Sequence, residues 1–149
     1  MKIILVTIGK FKNDYVKDGF NEYLKRIKKF CNFNLIELKE EKIENVNKSK
    51  TIHSEKILDL VNGKFFVLLD LTGKEYNSKD FSDFIYKNKE EEIYFVIGNF
   101  HGFSDELINK AKYKISFSKL TFPHQLIKLF FIEQLYRAFT IKKNIPYHK

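Results

Sequence analysis

Short apolar runs alternate along the chain with longer stretches in which apolar residues recur at helical spacing among lysines and acids. Lys2–Ile8 is short and β-branched and predicts a first strand. Asp14–Lys29 predicts a helix, with Tyr15, Phe20, Tyr23, Leu24 and Ile27 recurring at helical spacing and lysines between them. Phe33–Leu38 alternates as a second strand. Lys39–Lys50 is charged and aperiodic and reads as a mobile loop. Thr51–Val61 is helical, with Ile52, Ile57, Leu58 and Val61 sharing a side. Lys64–Leu71 holds the run Phe65-Phe66-Val67-Leu68-Leu69, too continuous for a half-exposed strand, and fits a central parallel strand. Ser78 is placed to cap a helix carrying Phe81, Phe84 and Ile85. Ile93–Ile97 is a further strand ending at Gly98, Ser104 caps a short helix through Lys112, and Tyr113–Phe117 is the last strand. Thr121–Thr140 predicts a long helix.

Strands and helices therefore alternate throughout, which argues an α/β fold: a mainly parallel sheet with helices on both faces. With no linker, repeat or low-complexity tract, residues 1–149 read as a single domain. The long helix carries apolar residues around most of its circumference, with Lys128, Glu133, Gln134 and Arg137 as the polar exceptions. A helix of that kind is covered on all sides. A terminal helix in so short a chain lacks enough of its own chain to cover it, so a homodimer with this helix at the interface is expected.

Composition narrows the function. One cysteine, Cys31, excludes an intramolecular disulfide framework and points to a reducing, cytoplasmic compartment. No apolar window approaches a membrane span, and the first strand is too short to be a signal sequence. The formal net charge is +8, and residues 101–149 hold 9 basic against 3 acidic side chains. A basic face of this kind favours a polyanionic partner such as nucleic acid. The four histidines, His53, His101, His124 and His148, lack metal-ligand spacing, so no metal site is expected. Thr72-Gly73-Lys74-Glu75 lacks the rest of a P-loop, Gly9 stands alone where a dinucleotide motif needs three glycines, and no nucleophile elbow occurs. Cys31 has no neighbouring histidine and is not expected to be a nucleophile.

What remains is three loops after apolar strands: Leu69-Asp70-Leu71-Thr72-Gly73-Lys74, Ile97-Gly98-Asn99-Phe100-His101-Gly102-Phe103-Ser104, and Ser116–His124. Open α/β sheets bind ligands at this edge. Glycines let the main chain approach a ligand, and the apolar neighbours would enclose a flat ring. The set suits an adenosine-bearing cofactor held mostly by main chain.

These residues carry a resemblance. The chain resembles the SPOUT class of methyltransferases, and within it the small ribosomal RNA large subunit methyltransferase H family. The resemblance runs from Lys2–Gly9 and Asp18–Arg26 through Leu69–Lys74 and the glycine loop. It ends with Leu120-Thr121-Phe122-Pro123-His124, Glu133-Gln134-Leu135-Tyr136-Arg137-Ala138 and Pro146-Tyr147-His148-Lys149. It implies a C-terminal trefoil knot, S-adenosyl-L-methionine as cofactor, and methylation of N3 of a pseudouridine in helix 69 of 23S rRNA on the ribosome. By position it assigns Leu69, Gly98, Phe117, Ser118, Lys119, Leu120, Thr121 and Phe122 to the cofactor.

There are departures. Where the family reads Gly-Gly-Pro-Glu-Gly, this chain reads Gly98-Asn99-Phe100-His101-Gly102, losing an acid at His101 and a rigid proline at Phe100. Lys149 stands where arginine is common, keeping charge without bidentate geometry. The altered loop leaves one alternative: a non-catalytic RNA- or ribosome-binding module of the same fold.

Methyl transfer from a sulfonium needs no metal, because the carbon is already activated. The imide N3 carries a proton, however, so proton removal or stabilisation of the resulting anion must accompany transfer. The candidates are His148, Arg137 and Tyr147, with His124 given a structural role at the helix start. Arg137, among apolar neighbours, is expected to pair with Glu133 or another acid, or to face the RNA. Tyr147 is also suited to stacking on a base. No single general base is assigned. Phosphate contacts are expected among Lys10, Lys12, Lys25, Arg26, Lys28, Lys29, Lys142, Lys143 and Lys149.

Overall fold

The computed structural model describes residues 1–149. Five parallel strands form one sheet in the order β2-β1-β4-β3-β5, with β1 at Lys2–Ile8, β2 at Asn32–Leu38, β3 at Phe66–Glu75, β4 at Glu92–Ile97 and β5 at Tyr113–Ser116. The helices are α1 (Asp14–Ile27), α2 (Val46–Val61), α3 (Ser78–Lys87), α4 (Asp105–Lys110) and α5 (His124–Lys142). Each strand but the last is followed by a crossover helix, as parallel pairing requires.

β1 is apolar without interruption because both of its faces are covered. Ile3 and Leu5 face Phe20 of α1, Phe81 of α3 and Phe131 of α5 in one core. Ile4 and Val6 face Ile57 and Val61 of α2 and Leu107 of α4 in the other. Burying each such side chain contributes about 1.5–3 kcal/mol.

Several sequence expectations are corrected. The central strand is β4; β3 is interior, between β4 and β5. Lys39–Lys50 is not one loop, because α2 begins at Val46, capped by Asn45, whose side chain accepts from the Lys48 N–H at 2.8 Å. The remaining 39–45 stretch is tied to α2: the Glu41 N–H donates to His53 Nε2 at 2.9 Å, and Lys56 bonds the Lys39 carbonyl and the Glu41 carboxylate. Asn77, not Ser78, caps α3. α5 starts at His124 rather than Thr121, because the residue before Pro123 is pushed out of helical backbone geometry. Cys31 is buried in the core, and burial pushes its thiol up to about 11.

The enclosure of α5 also differs from expectation. Its own chain covers most of it, with the sheet beneath and α1 and α3 on either side. Buried Gln125 and Lys128 show that even its polar positions turn inward. What stays half-open is a strip containing Leu126, Phe130 and Ile141, which belong to neither core.

Candidate functional site

The carboxyl ends of β3, β4 and β5 converge on a cavity of about 370 Å³. That volume is in the range of small-molecule and cofactor sites. β3 supplies Leu69 and the bulge after it. Leu69 and Lys74 both pair with Ile115 of β5, so the four residues between them are looped out of the ladder. Gly73 closes that loop against β5, where a Cβ would lie 2.5 Å from the Ile115 carbonyl carbon. β4 supplies Ile97 and Gly98; a Cβ on Gly98 would sit 2.7 Å from the ring of buried Phe103. Glycine therefore holds the β4 end tight against its own loop and leaves main chain, not side chain, facing the cavity.

The Asn99–Gly102 turn is closed rather than loosened by the missing proline. The Gly102 N–H donates to the Asn99 carbonyl at 3.0 Å, and the His101 N–H to Asn99 Oδ1 at 3.1 Å. The Asn99 amide in turn reaches Ser49 Oγ and His53 Nδ1, both at 3.3 Å. His53 and Ser49 are fully enclosed, so α2 anchors this turn from behind.

Of the positions assigned to the cofactor, Leu69, Gly98, Phe117, Ser118, Thr121 and Phe122 line the cavity. Lys119 and Leu120 do not. Ser118 Oγ accepts the Leu120 N–H at 3.0 Å, a tight turn that puts both side chains in solvent.

His148, Arg137 and Tyr147 come together, but around Glu133 rather than at this cavity. Arg137 donates through Nε and Nη2 to Glu133 Oε1, which also accepts the Tyr147 hydroxyl at 2.9 Å. Tyr147 then accepts from the Tyr23 hydroxyl at 3.0 Å, and its ring lies 4.7 Å from the Arg137 guanidinium. Glu133 raises the Arg137 pKa, and burial together with the Tyr23 and Glu133 bonds raises that of Tyr147. Tyr147 is thus held as a hydrogen-bonding phenol between Tyr23 and Glu133. Arg137 Nη1 faces His148 Nδ1 at 3.3 Å. A guanidinium only donates, so Nδ1 accepts and the ring proton lies on Nε2. His148 borders a second cavity of about 480 Å³, which shares the wall Ile115, Phe117 and Phe122 with the first.

The start of α5 was only partly legible. His124 lines the cavity and bonds the Ile8 carbonyl through Nε2 at 3.1 Å, and burial lowers its pKa. Gln125 accepts the Lys12 N–H and donates to the Lys10 carbonyl. Lys128, fully buried, donates to the Gly9 carbonyl at 2.8 Å and lies 3.7 Å from Glu37. Together they fix the loop after β1. The available signal for Lys128 was a lysine inside an otherwise apolar helical run.

The model of the family described as "Predicted SPOUT methyltransferase" matches residues 1–148. Proteins named "Ribosomal RNA large subunit methyltransferase H" align over 100% of both chains: that of Clostridium acetobutylicum is 44% identical and that of Streptococcus mutans 41%. The chain belongs to the SPOUT methyltransferase family. A solved structure of a probable methylase family protein from Haemophilus influenzae covers 99% of this chain and 70% of its own at a TM-score of 0.53 and 12% identity, a likeness of fold.

In this SPOUT chain the expected phosphate contacts differ in freedom. Lys12 lies 3.7 Å from Glu40 and Arg26 is paired with Glu22, whereas Lys10, Lys25, Lys28, Lys29, Lys142, Lys143 and Lys149 have no carboxylate partner. No group of three or more His, Cys, Asp or Glu is placed to hold a metal ion, and no helix is long and apolar enough to cross a membrane.

Proposed function

We propose that this chain is an S-adenosyl-L-methionine-dependent methyltransferase that methylates N3 of a pseudouridine in helix 69 of 23S rRNA, acting on the ribosome in the cytoplasm. The observation that carries the reading is the glycine-built cavity at the β3, β4 and β5 ends in a chain of the SPOUT family. The target is drawn from the names of its full-length relatives and from the resemblance. The reading includes one domain over residues 1–149, a C-terminal trefoil knot and no metal. Support for the knot is the match to the SPOUT family, with the main chain of Gly73 packed closely on that of Ile115. The reading also includes a homodimer, supported by the half-open α5 strip of Leu126, Phe130 and Ile141.

The cavity fits the cofactor. Bare main chain at Gly98, apolar Leu69, Ile97 and Phe117, and Ser118 at the wall suit an adenosine moiety. When bound, the sulfonium supplies an already activated methyl carbon. The protein's task is then alignment and management of the N3 proton. Leu69, Gly98, Phe117, Ser118, Thr121 and Phe122 hold and orient. Arg137 and the Nε2–H of His148 are suited to stabilise the anion that N3 deprotonation leaves on the imide. Tyr147, with its proton retained, positions both through Glu133.

Calorimetric titration with S-adenosyl-L-methionine tests the reading against that of a binding module. Saturable binding lost in Gly98→Val supports the enzyme. Ribosome binding with no cofactor binding assigns the chain to a non-catalytic module.

A further inference from the structure

Phe100 is 81% exposed, the most exposed large apolar side chain of the protein. It is not a stray surface residue. It stands on the ridge between the cofactor cavity and a larger open cleft of about 740 Å³, and borders both. Its ring is tilted 50° against that of His101 with centroids 4.0 Å apart, and the His101 Nδ1 is buried without a partner. The turn beneath them is tied by Asn99 to Ser49 and His53, which fixes the backbone that carries both rings.

Among the charged groups that border the cleft, three lysines but only one acid, Glu44, lack an ion-pair partner. Four lysines and four glutamates border it. Three of those acids are engaged: Glu37 by Lys128, Glu40 by Lys12 and Glu41 by Lys56. Lys10, Lys39 and Lys42 are exposed and have no carboxylate within ion-pair distance. A solvent-facing aromatic platform opposite unpaired cations is the arrangement that binds single-stranded nucleic acid, where rings stack on bases and cations follow the backbone.

We propose that Phe100, backed by His101, stacks on a base flanking the target nucleotide of the RNA substrate, and that Lys10, Lys39 and Lys42 hold the phosphates of the same strand. This rests on the methyltransferase reading and adds its substrate surface. Phe100 is then a substrate-contacting residue, and aromatic character is what the position requires.

The test is co-sedimentation of the full chain with ribosomes across a salt series, alongside methyl-transfer kinetics, cofactor titration and sizing. Phe100→Ala should weaken ribosome binding by about tenfold or more, with Phe100→Trp restoring it. The loss should fall on KM for ribosomes rather than on kcat. The double variant Lys39→Gln/Lys42→Gln should reduce the slope of log affinity against log salt by about 1–1.5. Unchanged ribosome affinity in Phe100→Ala overturns the proposal. So does conversion of a dimer to a monomer, which assigns the ring to contact between copies, or a loss confined to cofactor affinity. Ribosome binding that depends on Phe100 in a protein that transfers no methyl group upholds this surface and removes the enzymatic reading instead.

Discussion

Gly73 and Ile115 meet backbone to backbone. A Cβ on Gly73 would lie 2.5 Å from the Ile115 carbonyl carbon and 2.6 Å from its nitrogen. No side chain can yield there, because the obstacle is main chain in β5 and Ile115 is itself buried. Gly73→Ala should therefore cost about 3 kcal/mol or more, the upper end of overpacking penalties, or prevent folding altogether. Thermal unfolding measures this; a change in melting temperature of under about 2 °C would show that the bulge relaxes freely.

Gly98 differs, since its obstacle is a ring. Gly98→Ala would press on Phe103 at 2.7 Å and push the β4 loop into the cavity. Cofactor affinity should fall by about tenfold or more, with a stability loss of about 1–3 kcal/mol. Titration of the folded variant separates the two effects, and wild-type affinity would remove Gly98 from the cofactor site.

Glu133 holds the C-terminal segment. It accepts from Arg137 and Tyr147, and Tyr147 from Tyr23. Glu133→Ala leaves Arg137 without its carboxylate and should cost about 1–3 kcal/mol. Amide exchange at Ile145, whose N–H donates to the Thr140 carbonyl at 2.9 Å, should accelerate, with methyl transfer falling in parallel. Retained protection there would mean that the aromatic contacts of Tyr147 with Tyr136 suffice.

The sign of the His124 effect sets a pH dependence. Burial lowers its pKa from the ordinary 6.5, opposed by the Ile8 carbonyl; Lys128 and Lys12 lower it further and Glu40 raises it. Below about 6.5 the unfolded chain takes up a proton that the folded ring resists. The stabilisation is therefore complete above that pH and is lost progressively as pH falls toward the depressed native value. His124→Gln should flatten this part of the stability profile, as read by chemical denaturation at pH 5 and 7. An identical slope in both proteins would place the dependence elsewhere.

Phe130 packs edge-to-face on Phe122 and lies in the half-open strip of α5. Phe130→Asp should halve the mass observed by sedimentation and abolish transfer. A wild-type chain that sediments as a monomer contradicts the dimer.

The strand–helix order was legible because strands covered on both faces are continuous apolar runs, as in β1 and β4. The start of α2 was hidden because its inward residue is Ser49, which packs by hydrogen bonding to His53 and Asn99 and gives no apolar period. The length of β3 was hidden by the polar, glycine-bearing bulge between Leu69 and Lys74. The apolar circumference of α5 reads as an interface from sequence, whereas most of it is buried by α1, α3 and the sheet; no local pattern distinguishes those two kinds of cover. Positions for the cavity came from the strand ends and the resemblance. The exposure of Lys119 and Leu120 follows from one Ser118 hydrogen bond that spacing alone does not reveal.

The most direct measurement is transfer of labelled methyl from S-adenosyl-L-methionine to ribosomes from cells lacking the modification, with the labelled nucleotide mapped. Label at N3 of the helix 69 pseudouridine in 23S rRNA is the expected result. Absence of label from a folded, cofactor-binding protein, or label at another nucleotide, would contradict it.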